Sequence, residues 1–106
     1  MAYQSIGETY LYMGKIEDAH KNLLKSLSYS KELEDADDLH LDYTYLGLIE
    51  LKNKNYTLSK SYLEKANELI PNSYTTITFL VMVNKEIGED YDKPKLISLI
   101  NHAINH

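Results

Sequence analysis

Cysteine is absent from the chain, which removes disulfide frameworks, thiolate zinc sites and cysteine nucleophiles together and favours an intracellular, cytoplasmic setting. Only two prolines occur, Pro71 and Pro94, both at segment edges where they can end or begin a helix. Long apolar runs are missing as well. The longest, "ITFLVMV" from Ile77 to Val83, is far below the roughly 20 residues of a membrane span, and the first residues lack the basic and apolar regions of a signal peptide. No membrane partner is expected. The net charge is −5 and the lysines are scattered among carboxylates, so a nucleic-acid partner lacks its electrostatic footprint.

Catalytic constellations are equally scarce. No glycine-rich phosphate loop appears, and no nucleophile, base and orienting group can be named together, so neither an enzyme nor a cofactor is expected. Of the four histidines, His20 and His40 sit beside charged residues and read as solvated. His102 and His106 have the i, i+4 spacing of a metal pair, yet no third ligand is near in sequence, and no metal site is expected. The acidic stretch "ELEDADD", Glu32 to Asp38, lacks the glycine and spacing of a calcium loop and reads as a solvated linker with helix-capping aspartates. "NYT" from Asn55 to Thr57 matches a glycosylation acceptor, but without a secretory signal it reads as an inter-helix turn.

What is present is helical. With 43% hydrophobic and 25% charged residues, the composition is that of one small globular domain. Gly14, the acidic stretch, "KNKN" from Lys52 to Asn55, the pair Pro71 and Asn72, and "GEDYDKP" from Gly88 to Pro94 cut the chain into pieces of helix length. Between these breaks Tyr3, Ile6, Gly7 and Tyr10 follow i, i+3, i+4, i+7 spacing, as do Tyr43, Leu46, Gly47 and Glu50, and no segment alternates like a strand. The pattern predicts six helices in three antiparallel pairs.

Sliding the chain on itself by about 40 residues superposes Tyr3 on Tyr43, Ile6 on Leu46, Gly7 on Gly47, Ala19 on Ser59, Leu23 on Leu63 and Ser26 on Ala66. This set resembles the tetratricopeptide repeat signature, Trp-x2-Leu-Gly-x2-Tyr, then Ala-x3-Phe, then Pro. "YQSIGETY" and "AHKNL" supply the first copy; "YTYLGLIE", "SKSYL" and Pro71 supply the second. Tyr stands for Trp twice, Glu50 for the usual Tyr, and Lys31 for the first closing proline. The first unit is long for the family, so its second helix should run on by more than a turn; such lengthened units look like those of bacterial signalling regulators, peptide-pheromone receptors among them. The resemblance implies an all-α solenoid of about three helix pairs forming a right-handed superhelix, divided as 1–39, 40–73 and a degenerate third pair at 74–106.

A glycine inside a helix costs roughly 1 kcal/mol against alanine. In the family's packing this cost is offset by close helix approach: Gly7 and Gly47 let backbones meet, Ala19, Ser26, Ser59 and Ala66 keep the facing helix thin, and larger Tyr, Ile and Leu side chains fill the space beside them.

A stack of helix pairs carries no inherent chemistry, so function is sought on its surface. By resemblance, the first helix of each pair lines a concave face. Gln4, Glu8, Leu11 and Tyr12 fall there in the first unit, then Leu41, Thr44, Tyr45, Leu48, Leu51 and Lys52, then Thr78, Met82 and Lys85. Tyr12, Tyr45, Leu48 and Met82 suit anchoring an extended peptide or partner helix, with Gln4, Thr44 and Thr78 bonding its backbone; Leu41 and Leu51 fit helix packing equally well. One subclass of the family clamps a chaperone tail's terminal carboxylate with Lys, Asn and Arg, but Gln4, Glu8 and Thr44 hold those positions here, and Glu8 would repel such a tail. The expected function is a protein- or peptide-binding module, a fragment of a larger regulatory or scaffold protein given the abrupt start at Tyr3. The alternative is an assembly segment that dimerises or extends a solenoid through its end faces, with Ile97, Ile100 and Ile104 the sensitive positions.

Overall fold

The computed structural model describes residues 2–88. Over that span the chain forms five helices: α1 (Ala2–Tyr12), α2 (Ile16–Leu33), α3 (Ala36–Lys52), α4 (Tyr56–Leu69) and α5 (Tyr74–Ile87). No strand occurs among the described residues. The expected sixth helix, with Pro94, Ile97, Ile100, Ile104 and the His102–His106 pair, lies outside them. At 18 residues α2 exceeds the 14 of α4 by a helical turn, as the lengthened first unit predicts. α3 starts at Ala36, so its first turn precedes the sequence's division at residue 40.

The turns explain the helix ends. Gly14, at φ 76°, closes α1 in the left-handed region that glycine enters without a Cβ penalty. Around it Met13 N donates to Thr9 O, Gly14 N to Leu11 O and Lys15 N to Tyr10 O, at 3.1, 3.0 and 2.8 Å. The α3–α4 turn repeats this set: Asn53 N to Ile49 O, Lys54 N to Leu51 O and Asn55 N to Glu50 O, at 3.0, 3.1 and 2.8 Å. Lys54, at φ 63°, stands where the first unit has glycine, so the sequence periodicity is also a periodicity of backbone hydrogen bonds. The acidic linker ends α2 with Glu34 in the left-handed region and caps α3 through Asp35, whose Oδ1 accepts from Asp38 N at 3.1 Å. That cap contributes about 1 kcal/mol.

Each helix packs on the next, and α3 also meets α5. The core gathers Ala19, Leu23 and Leu27 of α2, Tyr43, Leu46 and Ile49 of α3, and Ala66 of α4. A Cβ placed on Gly7 would stand 2.7 Å from Leu23 Cγ, and one on Gly47 would stand 2.6 Å from Leu63 Cγ. Each leucine is fully buried, contributing about 1.5–3 kcal/mol of apolar burial, and it occupies the volume the glycine vacates. Ser59 does more than stay thin, since its hydroxyl donates to Gly47 O at 2.6 Å.

α3 carries a polar load that its sequence does not advertise. Asp42 is fully buried; its Oδ1 accepts from Gln4 Nε2 at 2.9 Å and Ser26 Oγ at 2.8 Å, and its Oδ2 from Ser30 Oγ at 2.7 Å. Three helices meet on that one carboxylate. Glu50, also buried, accepts from Asn55 Nδ2 at 2.7 Å and lies 3.5 Å from His20 Nε2. His40, expected in solvent, is buried instead, with Nδ1 3.1 Å from Ala66 O. A carbonyl can only accept, so that ring nitrogen bears the proton. Thr44 Oγ1 donates to His40 O at 2.8 Å, leaving Thr76 to donate across to Thr44 at 3.0 Å. These residues are buried because α3 is enclosed from both sides, by α1 and α2 and by α4 and α5.

Candidate functional site

Helices α1, α3 and α5 each turn one face towards a common cleft of about 360 Å³. Helical spacing sets which residues line it: Glu8, Leu11 and Tyr12 from α1; Tyr45, Leu48 and Lys52 from α3; Thr75 and Phe79 from α5. Leu11 and Tyr12 each lie one turn on from Glu8, Leu48 and Lys52 lie three and seven residues on from Tyr45, and Phe79 lies four on from Thr75, so the positions within each helix share a face. Leu11, Leu48 and Phe79 give the cleft an apolar floor. Its polar groups concentrate at Glu8, whose Oε1 accepts from Tyr12 Oη at 3.3 Å and whose carboxylate also takes the Tyr45 hydroxyl. Burial raises the Tyr45 phenol to about 12 from an ordinary 10.0, reinforced by the charge of Glu8, the hydrogen bond to it and neighbouring Tyr12. A raised phenol stays neutral and keeps its donor proton under physiological conditions.

Other hollows are wider and shallower. One of about 460 Å³, beyond the C-terminal ends of α3 and α5, is lined by Leu51, Lys52, Lys54, Tyr56, Met82, Lys85 and Glu86. It touches the cleft at Lys52. Among the described residues no group of three His, Asp or Glu side chains can hold a metal, and no helix is long and apolar enough to cross a membrane.

A family model for the tetratricopeptide repeat matches residues 2–33 and 43–73, more than half of the 106 residues. The chain belongs to the tetratricopeptide repeat family. No curated protein and no solved structure matches it. Tetratricopeptide repeats are non-catalytic helical repeats that generally serve protein interaction. In this one the cleft is walled by the first helix of each matched repeat, α1 and α3, together with α5; the two matched stretches cover α1 with α2, and α3 with α4.

Of the residues assigned to the concave face by sequence, Glu8, Leu11, Tyr12, Tyr45, Leu48 and Lys52 converge on the cleft. Leu51, Met82 and Lys85 line the adjoining hollow instead. Thr78 is absent from both linings and its hydroxyl bonds to its own helix, at Tyr74 O; Leu41 is partly exposed outside both. Gln4 and Thr44 need correcting. Both are buried, the Gln4 amide nitrogen against Asp42 and Asp38 O, the Thr44 hydroxyl against Thr76 and His40 O, so the donor groups expected to bond a partner's backbone are already used within the fold. The register brings Asp42 and Thr76, each with a buried acceptor or donor to satisfy, against them. Thr75 and Phe79 join the lining without having been expected there. A step of 34 residues, the family's period, carries Tyr45 to Phe79 and is the signal that finds it.

Proposed function

We propose that this chain is a protein- or peptide-binding module that seats a partner segment in the cleft of α1, α3 and α5, within a larger cytoplasmic regulatory or scaffold protein. The observation that carries this reading is the convergence of Tyr45, Leu48 and Phe79 from two helices beside the Glu8 cluster. Aromatic anchors around a partly desolvated pocket, rimmed by polar groups, are the composition of an interaction hot spot. At about 360 Å³ the cleft is at the small end of ligand pockets and suits one or two anchor side chains of an extended segment. The long α2 supports kinship with the lengthened repeats of bacterial signalling regulators.

Capture of partners by the intact chain, compared with a Tyr45→Ala/Leu48→Ala double variant, tests the reading. Loss of the partner at an unchanged melting temperature supports it, and equal capture contradicts it. One feature favours assembly as a second reading: Ile6 is 42% exposed on α1, beside a hollow of about 300 Å³ with Ser5, Thr9 and Tyr10. Sedimentation as a monomer at high concentration counts against that alternative.

A further inference from the structure

Among the described residues, the carboxylate in the cleft has two hydrogen-bonding partners, and both are phenols. Glu8 receives the hydroxyls of Tyr12 and Tyr45, and neither contact supplies a positive charge. An ionised carboxylate offers about four lone-pair sites, so two phenol donors leave acceptor capacity unused. Tyr12 is 82% exposed, and its ring stands free for a ligand to lie against. Phenol faces attract cations, and guanidinium and ammonium groups bond ionised carboxylates more strongly than neutral donors do. The apolar floor of Leu11, Leu48 and Phe79 adjoins this acidic point and suits the methylene stem of a long basic side chain.

Resting on the binding function proposed above, we infer that the cleft selects a peptide segment carrying a lysine or arginine next to an apolar residue, the basic head against Glu8 and the phenol rings, the apolar neighbour on Leu48 and Phe79. Lys52 also lines the cleft, but it is Glu8 that the two phenols bond, so a basic head placed among those rings meets the carboxylate. The overall charge of −5 adds long-range steering of basic segments.

Panning a random twelve-residue phage-displayed peptide library on the intact chain, on Glu8→Gln and on Tyr45→Ala/Leu48→Ala tests this. On the parent, peptides with a basic residue beside an apolar one should enrich. A synthetic enriched peptide should bind Glu8→Gln about tenfold more weakly, and panning on that variant should lose the basic preference while keeping the apolar one. Enrichment on the parent without basic residues, lost in the Tyr45/Leu48 variant, overturns the charge inference and leaves the binding function standing. Failure of the parent to enrich any peptide overturns both. The parent's own selection decides between these outcomes even if Glu8→Gln does not fold.

Discussion

Leu63 occupies the space that a side chain at Gly47 would need, leaving 2.6 Å between its Cγ and the position of a Cβ there. Leu23 stands in the same relation to Gly7, so the α1–α2 and α3–α4 pairs are each locked by one glycine and one leucine. Replacing Gly47 by alanine gains roughly 1 kcal/mol of helix propensity but forces a buried leucine to move. Gly47→Leu should cost about 1–3 kcal/mol by overpacking, lowering the melting temperature by about 4 °C or more. Thermal denaturation checks this; a parental melting temperature would mean that no helix approaches there.

The buried junction at Asp42 gives a second prediction. Asp42→Leu removes the acceptor of the Ser26 and Ser30 hydroxyls and of one Gln4 N–H, the other still bonding Asp38 O, and each buried donor left unpaired costs about 1–3 kcal/mol. Asp42→Asn should be much milder, because its oxygen can accept from Gln4 and Ser26 while its amide donates to Ser30. Urea unfolding of the two variants should therefore rank asparagine well above leucine; equal stabilities would show that the hydrogen bonds, as opposed to side-chain volume, matter little.

The two equivalent turns differ at one residue. Lys54 holds a left-handed conformation, at φ 63°, that Gly14 adopts at φ 76°. Side chains in that region cost about 1–2 kcal/mol, partly offset by the extra chain entropy glycine loses on folding. Lys54→Gly should thus stabilise by about 0.5 kcal/mol and Gly14→Ala should destabilise by about 1 kcal/mol. Denaturant midpoints read both; the same sign for the two would contradict the shared turn geometry.

Tyr45 makes stability fall at alkaline pH. Its phenol is raised to about 12 from 10.0, chiefly by burial and then by Glu8. The unfolded chain gives up this proton first, so the contribution is fully present below pH 10.0 and is lost as pH rises through about 12. Glu8→Gln should bring the phenol down, and Tyr45→Phe should flatten that part of the stability profile. Phenolate absorbance and denaturation across this range measure both; Tyr62, also raised by burial, adds to the parent's slope but survives in either variant.

Much of the scaffold was legible because it is local. The breaks at Gly14, Lys52 to Asn55 and Pro71 and the capping role of the acidic linker follow from positions close in sequence, and the pairing of small with large residues follows from the repeat resemblance. The polar face of α3 was not. Asp42 and His40 look like solvent-facing residues on a helix taken alone, and only partners on other helices make their burial tolerable; Glu50 falls on the apolar face by spacing, but its burial rests on Asn55 and His20. Gln4 lies 38 residues from Asp42, a distance that no helical period reads. The cleft was half legible for the same reason: Glu8, Tyr12, Tyr45 and Leu48 follow the repeat's faces, whereas Gln4 and Thr44 are drawn inward by the buried partners that await them.

A ¹H–¹⁵N titration of the intact chain with a peptide selected on it probes the binding cleft residue by residue. Shift changes should concentrate on Glu8, Tyr12, Tyr45, Leu48 and Phe79. Changes confined to the Ile6 and Tyr10 face of α1, with those five residues unmoved, would contradict binding between α1, α3 and α5.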